Sequence, residues 1–277
     1  MNLAAPARDG LTHGTRYRVS GEGAPVVLVH GVGMDLGMWE AVVERLGHGY
    51  RILRYDMLGH GGSTKPPGPY RLDDFVAQLT ALTNELGLAR FDLVGFSMGG
   101  LVAQAFAIAH GGRLGRLVLL NTVFDRNPAE RSAIEARVRD VRAGGYVAGV
   151  EAALERWFTP SFRLAHPEIV AAVRRHMSAN DVAAYAAAYT VFATADRELS
   201  QKVEEIRVPT LVATGADDQR STPEMARRLA DRVPHAICRI IDGQRHLTPI
   251  EVPDEVAALI DAFLSAENGA PDKKAAS

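Results

Sequence analysis

Apolar residues along this chain fall into two alternating patterns. Strands are expected near 16–20, 26–30, 51–55, 91–95, 116–121, 209–214 and 236–242, with a continuous apolar run at Pro25–Val29. Runs that are apolar at consecutive positions suit strands buried on both faces, as in a parallel sheet covered by helices. Between them, near 38–46, 73–86, 98–110, 223–232 and 253–265, the apolar positions recur at helical spacing. Strand and helix in alternation predict an α/β fold with a mostly parallel central sheet, flanked by helices on both sides.

The strand signal stops between about Asp125 and Val208. Asn127-Pro128-Ala129-Glu130 opens a charged helix, Gly144-Gly145 breaks it, and His166-Pro167 marks another start. The alanine-rich stretch from Val182 to Tyr189 is a strong helix former. The pattern predicts a core in two parts, residues 1–124 and 209–266, with a helical cap at 125–208 inserted between its strands. Residues 267–277, rich in Lys and Ala, are expected to form a disordered tail. Ligands of such sheets bind beyond the carboxyl ends of the strands, so the cap is placed to roof a site there. Trp157, Phe158, Tyr185 and Tyr189 are candidates to line it, although aromatic residues at helical spacing more often belong to a core.

The candidate chemistry begins at Gly95-Phe96-Ser97-Met98-Gly99, between an apolar strand and a buried helix. A tight strand-to-helix turn crowds the neighbours of its central residue. Glycine on either side relieves that crowding and leaves the Ser97 hydroxyl at the tip of the turn. The helix that follows points amides and its positive dipole end at the same place. His30-Gly31-Val32-Gly33, at the end of another strand, is the kind of loop that presents an N–H to a developing oxyanion. The expected donors are the amides of Val32 and Met98. Of nine histidines, His246 sits on a loop leaving a late strand and is the candidate base. His48 and His110 look like helix-end residues, His166 and His176 lie in the mid-chain helical region, His235 is in a turn, and His13 is near the start. For the acid, the strand 209–214 runs into Gly215-Ala216-Asp217-Asp218, and spacing alone does not separate the two aspartates.

With these motifs the chain resembles the α/β-hydrolase superfamily over roughly residues 15 to 266. It looks most like the group holding 3-oxoadipate enol-lactonases, related carboxylesterases and ring-cleavage hydrolases. The resemblance is carried by His30-Gly31-Val32-Gly33, by the stretch from Arg54 to Ser63, by the Ser97 turn, by Gly215-Ala216-Asp217-Asp218 and by His246. It implies Asp218 as the acid, with Asp217 as backup and Asp125 as a minor alternative. It also implies that Asp56 and His60 brace a loop rather than react. Asp35 is expected to cap the helix that carries Trp39. The implied activity is hydrolysis of a carboxylic ester or lactone of a small molecule through a Ser97–His246–Asp218 triad. Amide or carbon–carbon bond hydrolysis could use the same machinery. A weakly catalytic small-molecule receptor on the same fold is the alternative from another class.

Bulk properties narrow the partners. The chain has 277 residues, is 47% hydrophobic and 23% charged, and carries a formal net charge of −2. That balance gives no electrostatic footprint for nucleic acid or an anionic membrane. No apolar run reaches the length of a bilayer span and the start lacks a leader-like apolar core, so a cytoplasmic protein is expected. The single cysteine, Cys238, lies in a predicted strand and reads as a small core residue. No His, Cys or carboxylate spacing suggests a metal, and no glycine pattern suggests a nucleotide, so no cofactor is expected. Homo-oligomerisation is left open. Arg126 is a further candidate, placed just past a strand where it could meet a substrate carboxylate; Arg220 and Arg245 flank the loops of the acid and base.

Overall fold

The computed structural model describes residues 7–46 and 49–266, so the expectations for His48 and for the tail 267–277 lie outside the described residues. Eight strands form one sheet: β1 (Arg8–Thr12), β2 (Thr15–Ser20), β3 (Gly23–Val29), β4 (Gly49–Tyr55), β5 (Phe91–Phe96), β6 (Leu114–Leu120), β7 (Thr210–Gly215) and β8 (Ala236–Ile241). Their spatial order is β1-β2-β4-β3-β5-β6-β7-β8. Pairings from β4 through β8 are parallel, while β1–β2 and β2–β4 are antiparallel. The expected mostly parallel sheet is therefore present. Seven of the strands match the expected ones; β1, Arg-Asp-Gly-Leu-Thr at the sheet edge, was not anticipated, because a short polar segment with a central glycine carries no strand signal of its own.

Chain direction across the sheet fixes where a ligand can sit. From β3 the chain goes to β4 on one side, then crosses to β5 on the other, and builds outward to β8. The order thus reverses between β3 and β5, and a crevice opens at the carboxyl ends of these two strands. Val29 pairs with Gly95 there, so both strands end level. The central strands are closed off on both faces: Val26 to Val29 and Leu117 to Leu120 have no exposed surface.

The helices that cover the sheet are α1 (Glu40–Arg45), α2 (Leu72–Glu85) and α3 (Met98–His110), with α10 (Pro223–Arg232), α11 (Thr248–Glu251) and α12 (Pro253–Ser265) after the later strands. Between β6 and β7 come α4 (Pro128–Asp140), α5 (Tyr146–Trp157), α6 (Pro160–Ala165), α7 (Pro167–Ser178), α8 (Val182–Thr194) and α9 (Asp196–Leu199). Their boundaries follow local signals. Asn127 and Glu130 cap α4 reciprocally, at 2.9 and 2.7 Å. Gly144 takes φ 95° in the kink between α4 and α5, a conformation that favours glycine. Thr159 and Asp181 cap α6 and α8. Asp35 accepts from Gly37 N–H at 2.8 Å, capping the 3₁₀ turn Leu36–Trp39 that precedes α1. Cys238 lies in β8, half-buried. Among the described residues no helix is long and apolar enough to cross a membrane.

Candidate active site

Ser97 joins β5 to α3 with φ 53° and ψ −114°. A non-glycine residue in such a conformation costs on the order of 1–3 kcal/mol, and the surroundings must enforce it. Here the Ser97 N–H donates to Leu120 O at 2.8 Å. The Ser97 carbonyl accepts from Gly100 N–H at 3.0 Å and from the Thr122 hydroxyl at 2.9 Å. The flanking glycines make that enforcement sterically feasible. A Cβ on Gly95 would run into the Gly99 carbonyl, and one on Gly99 into the carbonyls of Val29 and His30.

His246 reaches this hydroxyl from the loop after β8, with Nε2 3.2 Å from Ser97 Oγ. Its loop approaches closely because Gly215, ending β7, has no Cβ to strike the carbonyls of Gln244 and Arg245. The N–H groups of His246 and Leu247 both donate to Trp157 O, each at 3.1 Å. The other ring nitrogen, Nδ1, lies 2.6 Å from Asp218 Oδ2.

Asp218 is buried, and its second oxygen accepts from the Arg220 and Ser221 N–H groups at 3.0 Å each. Asn121 Nδ2 donates to the first at 3.0 Å and is itself held by Thr248, whose hydroxyl donates to Asn121 Oδ1 at 2.7 Å. Burial works against the charged carboxylate. The charge and hydrogen bond of His246, with the Ser221 and Asn121 donors, outweigh it and hold Asp218 below the ordinary aspartate range. Asp217 instead faces solvent, and Asp125 lies 3.8 Å from Arg228. Sequence spacing left the two aspartates equal; burial separates them. Asn121 was not anticipated, although a lone polar residue closing an apolar strand was the available signal.

The loop after β3 runs beside this cluster. His30 is fully buried, and Met57 N–H donates to its Nε2 at 2.8 Å. Its proton therefore resides on Nδ1, which donates to Gly31 O at 2.8 Å. Burial lowers the pKa of His30 and, with His30 beside it, brings that of His60 down to about 3. Both are neutral structural imidazoles at physiological pH. Asp56 accepts from Leu36 and Gly62 N–H at 2.8 and 2.7 Å and so braces the loop. Val32, on this loop, lines the cavity over Ser97, and Met98 is the buried first residue of α3. Asn180, between α7 and α8, donates to Gly33 O at 2.8 Å and ties the loop to the helices.

A cavity of about 220 Å³ lies over Ser97. Gly31, Val32, Phe96 and His246 contribute from the sheet side, and Trp157, Met177, Tyr185 and Tyr189 from the helices between β6 and β7. The expectation for Phe158 needs correcting. Its ring is fully buried, stacked on Phe162 at 5.1 Å, and it does not line the cavity. Arg126 borders the cavity, but its guanidinium donates to Asp196 Oδ1 at 2.7 Å and to Phe192 O at 3.1 Å. It is thus already paired rather than waiting for a substrate. Arg245 likewise donates to the Phe158 carbonyl. The remaining described histidines lie elsewhere: His110 packs on Phe106, His166 on Phe162, His176 is 3.7 Å from Asp35, His13 is 3.6 Å from Glu85, and the His235 carbonyl accepts from Thr210 N–H at 2.9 Å. Among the described residues no cluster of His, Cys, Asp or Glu could hold a metal ion.

A strained serine turn at the switch point of a parallel sheet, with imidazole and carboxylate delivered by later strands, defines a class of hydrolytic enzymes. Residues 24–253 match the family described as alpha/beta hydrolase fold, and the chain belongs to it. It is 32% identical over 250 residues to (E)-2-((N-methylformamido)methylene)succinate hydrolase of Acinetobacter baylyi, covering 90% of this chain and 93% of that protein. It is 29% identical to 3-oxoadipate enol-lactonase 2 of the same organism, over 88% of this chain and 89% of that one. Among solved structures, the enol-lactonase from Burkholderia xenovorans LB400 superposes with a TM-score of 0.86 at 32% identity, covering 94% of this chain and all of that one. The protein is a hydrolase of this family.

Proposed function

We propose that the protein cleaves a carboxylic ester or lactone of a small molecule through a covalent acyl-enzyme on Ser97. One observation carries the reading: the Ser97 hydroxyl lies 3.2 Å from an imidazole nitrogen whose ring partner is 2.6 Å from a buried carboxylate. In this mechanism Ser97 Oγ attacks the carbonyl carbon as its proton passes to His246 Nε2. Asp218 holds the imidazole with its other proton on Nδ1 and stabilises the imidazolium that forms. The tetrahedral oxyanion accepts hydrogen bonds from the Val32 and Met98 amides. Collapse of that intermediate breaks the bond to the leaving oxygen, which takes the proton from Nε2. Water, deprotonated by the same nitrogen, then hydrolyses the acyl-enzyme and regenerates Ser97. No cofactor is required for these steps.

In the same reading, residues 125–208 act as a cap between the two core parts, 1–124 and 209–266, and shape the acyl pocket with Trp157 in its wall. The names of the relatives support a lactone or related acyl compound, one being an enol-lactonase and the other a hydrolase of a succinate derivative. The test is turnover of a panel of esters, lactones, amides and ring-cleavage products, with the Ser97→Ala protein as blank. Serine-dependent turnover of esters or lactones above the other classes is expected. Covalent labelling of Ser97 by a fluorophosphonate without turnover of any panel member would favour a receptor instead.

A further inference from the structure

Four arginines contribute to the cavity wall, and they differ in what balances their charge. Arg126 is paired with Asp196, and Arg137 with Asp140. Arg156 and Arg220 have no such counterpart. Among the described residues neither guanidinium makes an ion pair or a hydrogen bond, and Nε of Arg156 is sealed from solvent with nothing to donate to. The lone carboxylate among the described lining residues, Glu130, is spent on the Asn127 N–H at the start of α4. Arg156 precedes Trp157, the last residue of α5, whose carbonyl holds the His246 loop. The Arg220 backbone N–H donates to the Asp218 carboxylate at 3.0 Å. Both arginines are therefore built into the same short segments that position the acid and base.

Arg156 is partly buried and Arg220 exposed, and two guanidiniums on one cavity wall repel each other. Burial and the neighbouring charge of Arg220 both act against the charged form of Arg156. A bound anion relieves this arrangement, and the planar fork of each guanidinium matches the two oxygens of a carboxylate. We propose that Arg156 and Arg220 form the binding site for a carboxylate carried by the acyl substrate. The protein then acts on monoesters or lactones of a small dicarboxylic acid in preference to neutral ones. This rests on the reading of Ser97 as nucleophile and adds the charge of the substrate and the residues that select it.

The test compares mono(4-nitrophenyl) succinate with 4-nitrophenyl pentanoate, which is of similar length but neutral. The wild-type protein is expected to favour the succinate in kcat/KM. R156Q and R220Q should each lower the succinate-to-pentanoate ratio by roughly 10- to 100-fold, chiefly through KM for the succinate. R156K should keep part of the preference, since the charge stays while the fork is lost. R227Q, at an exposed position on α10, controls for bulk charge and should leave the ratio unmoved. A ratio unchanged in both R156Q and R220Q, or a wild-type preference for the pentanoate, overturns the proposal. Calorimetric binding of succinate reads the anion site without turnover: weaker binding to R156Q supports it, and equal affinity overturns it. Failure of a fluorophosphonate to label Ser97 would sink the nucleophile while leaving the succinate measurement to decide the anion site.

Discussion

Ser97 and Met98 stand in a turn whose neighbours leave no room for a Cβ, fixed by backbone hydrogen bonds to β6 and by the packing of α3 on β5 and β6. Trp157, Tyr185 and Tyr189, across the cavity, stand on helices that meet through side chains, such as the Tyr146–Tyr185 ring pair between α5 and α8 at 4.5 Å. The contrast separates two demands. Proton transfer needs atoms held within tenths of an ångström, and main-chain geometry supplies that. A wall built of side chains can change shape at one position without disturbing the others. Chemistry should therefore be brittle on the sheet side and graded on the helical side.

The largest expected effect is on the sheet side. Ser97→Ala should lower kcat by roughly 10⁴-fold or more with the melting temperature little changed, because the turn is enforced by its surroundings rather than by the hydroxyl. Turnover near the wild-type rate from a folded variant would remove Ser97 from the mechanism. Asp218→Asn should cost on the order of 10⁴-fold, through loss of the imidazole's orientation and charge partner. Asp217→Asn, at the solvent-facing neighbour, should stay within a few-fold of wild type in the same assay.

On the helical side adjacent aromatics should part company. Phe158→Ala should destabilise the protein by about 3–5 kcal/mol, read by denaturant unfolding, as a fully buried ring is lost. Trp157→Ala should instead redistribute kcat/KM among acyl chain lengths by about 10- to 200-fold, with fluorophosphonate labelling of Ser97 retained. Equal behaviour of the two variants would erase the distinction between wall and core. The smallest effect lies where the regions touch. Asn180→Ala removes the donor to Gly33 O, and kcat should fall about 2- to 10-fold with KM unmoved. A change in KM alone would place Asn180 in substrate binding rather than in support of the loop after β3.

The same division governs what could be read in the chain itself. Strands buried on both faces and the glycines around Ser97 leave local marks, so the sheet, the serine turn and the helix starts at Pro128, Pro167 and Val182 were legible. Edge strand β1 left none, since its register comes from pairing with β2. Arg126 looked available because its counter-charge, Asp196, lies 70 residues away in sequence. Trp157 and Phe158 were equivalent on paper because only the end of α5 decides which ring turns inward. Asp218 differs from Asp217 through contacts with Asn121 and His246 that no spacing rule contains.

Position 157 performs two jobs through different atoms. Its indole borders the cavity, while its carbonyl terminates the N–H groups of His246 and Leu247. The first varies with every substitution; the second is shared by all twenty amino acids. The pocket can therefore be repainted at its most intimate point, beside the His246 ring, without touching the anchor of its loop. A shift of the α5 terminus does the reverse: it carries the anchor with it and registers at the imidazole whatever side chain is present.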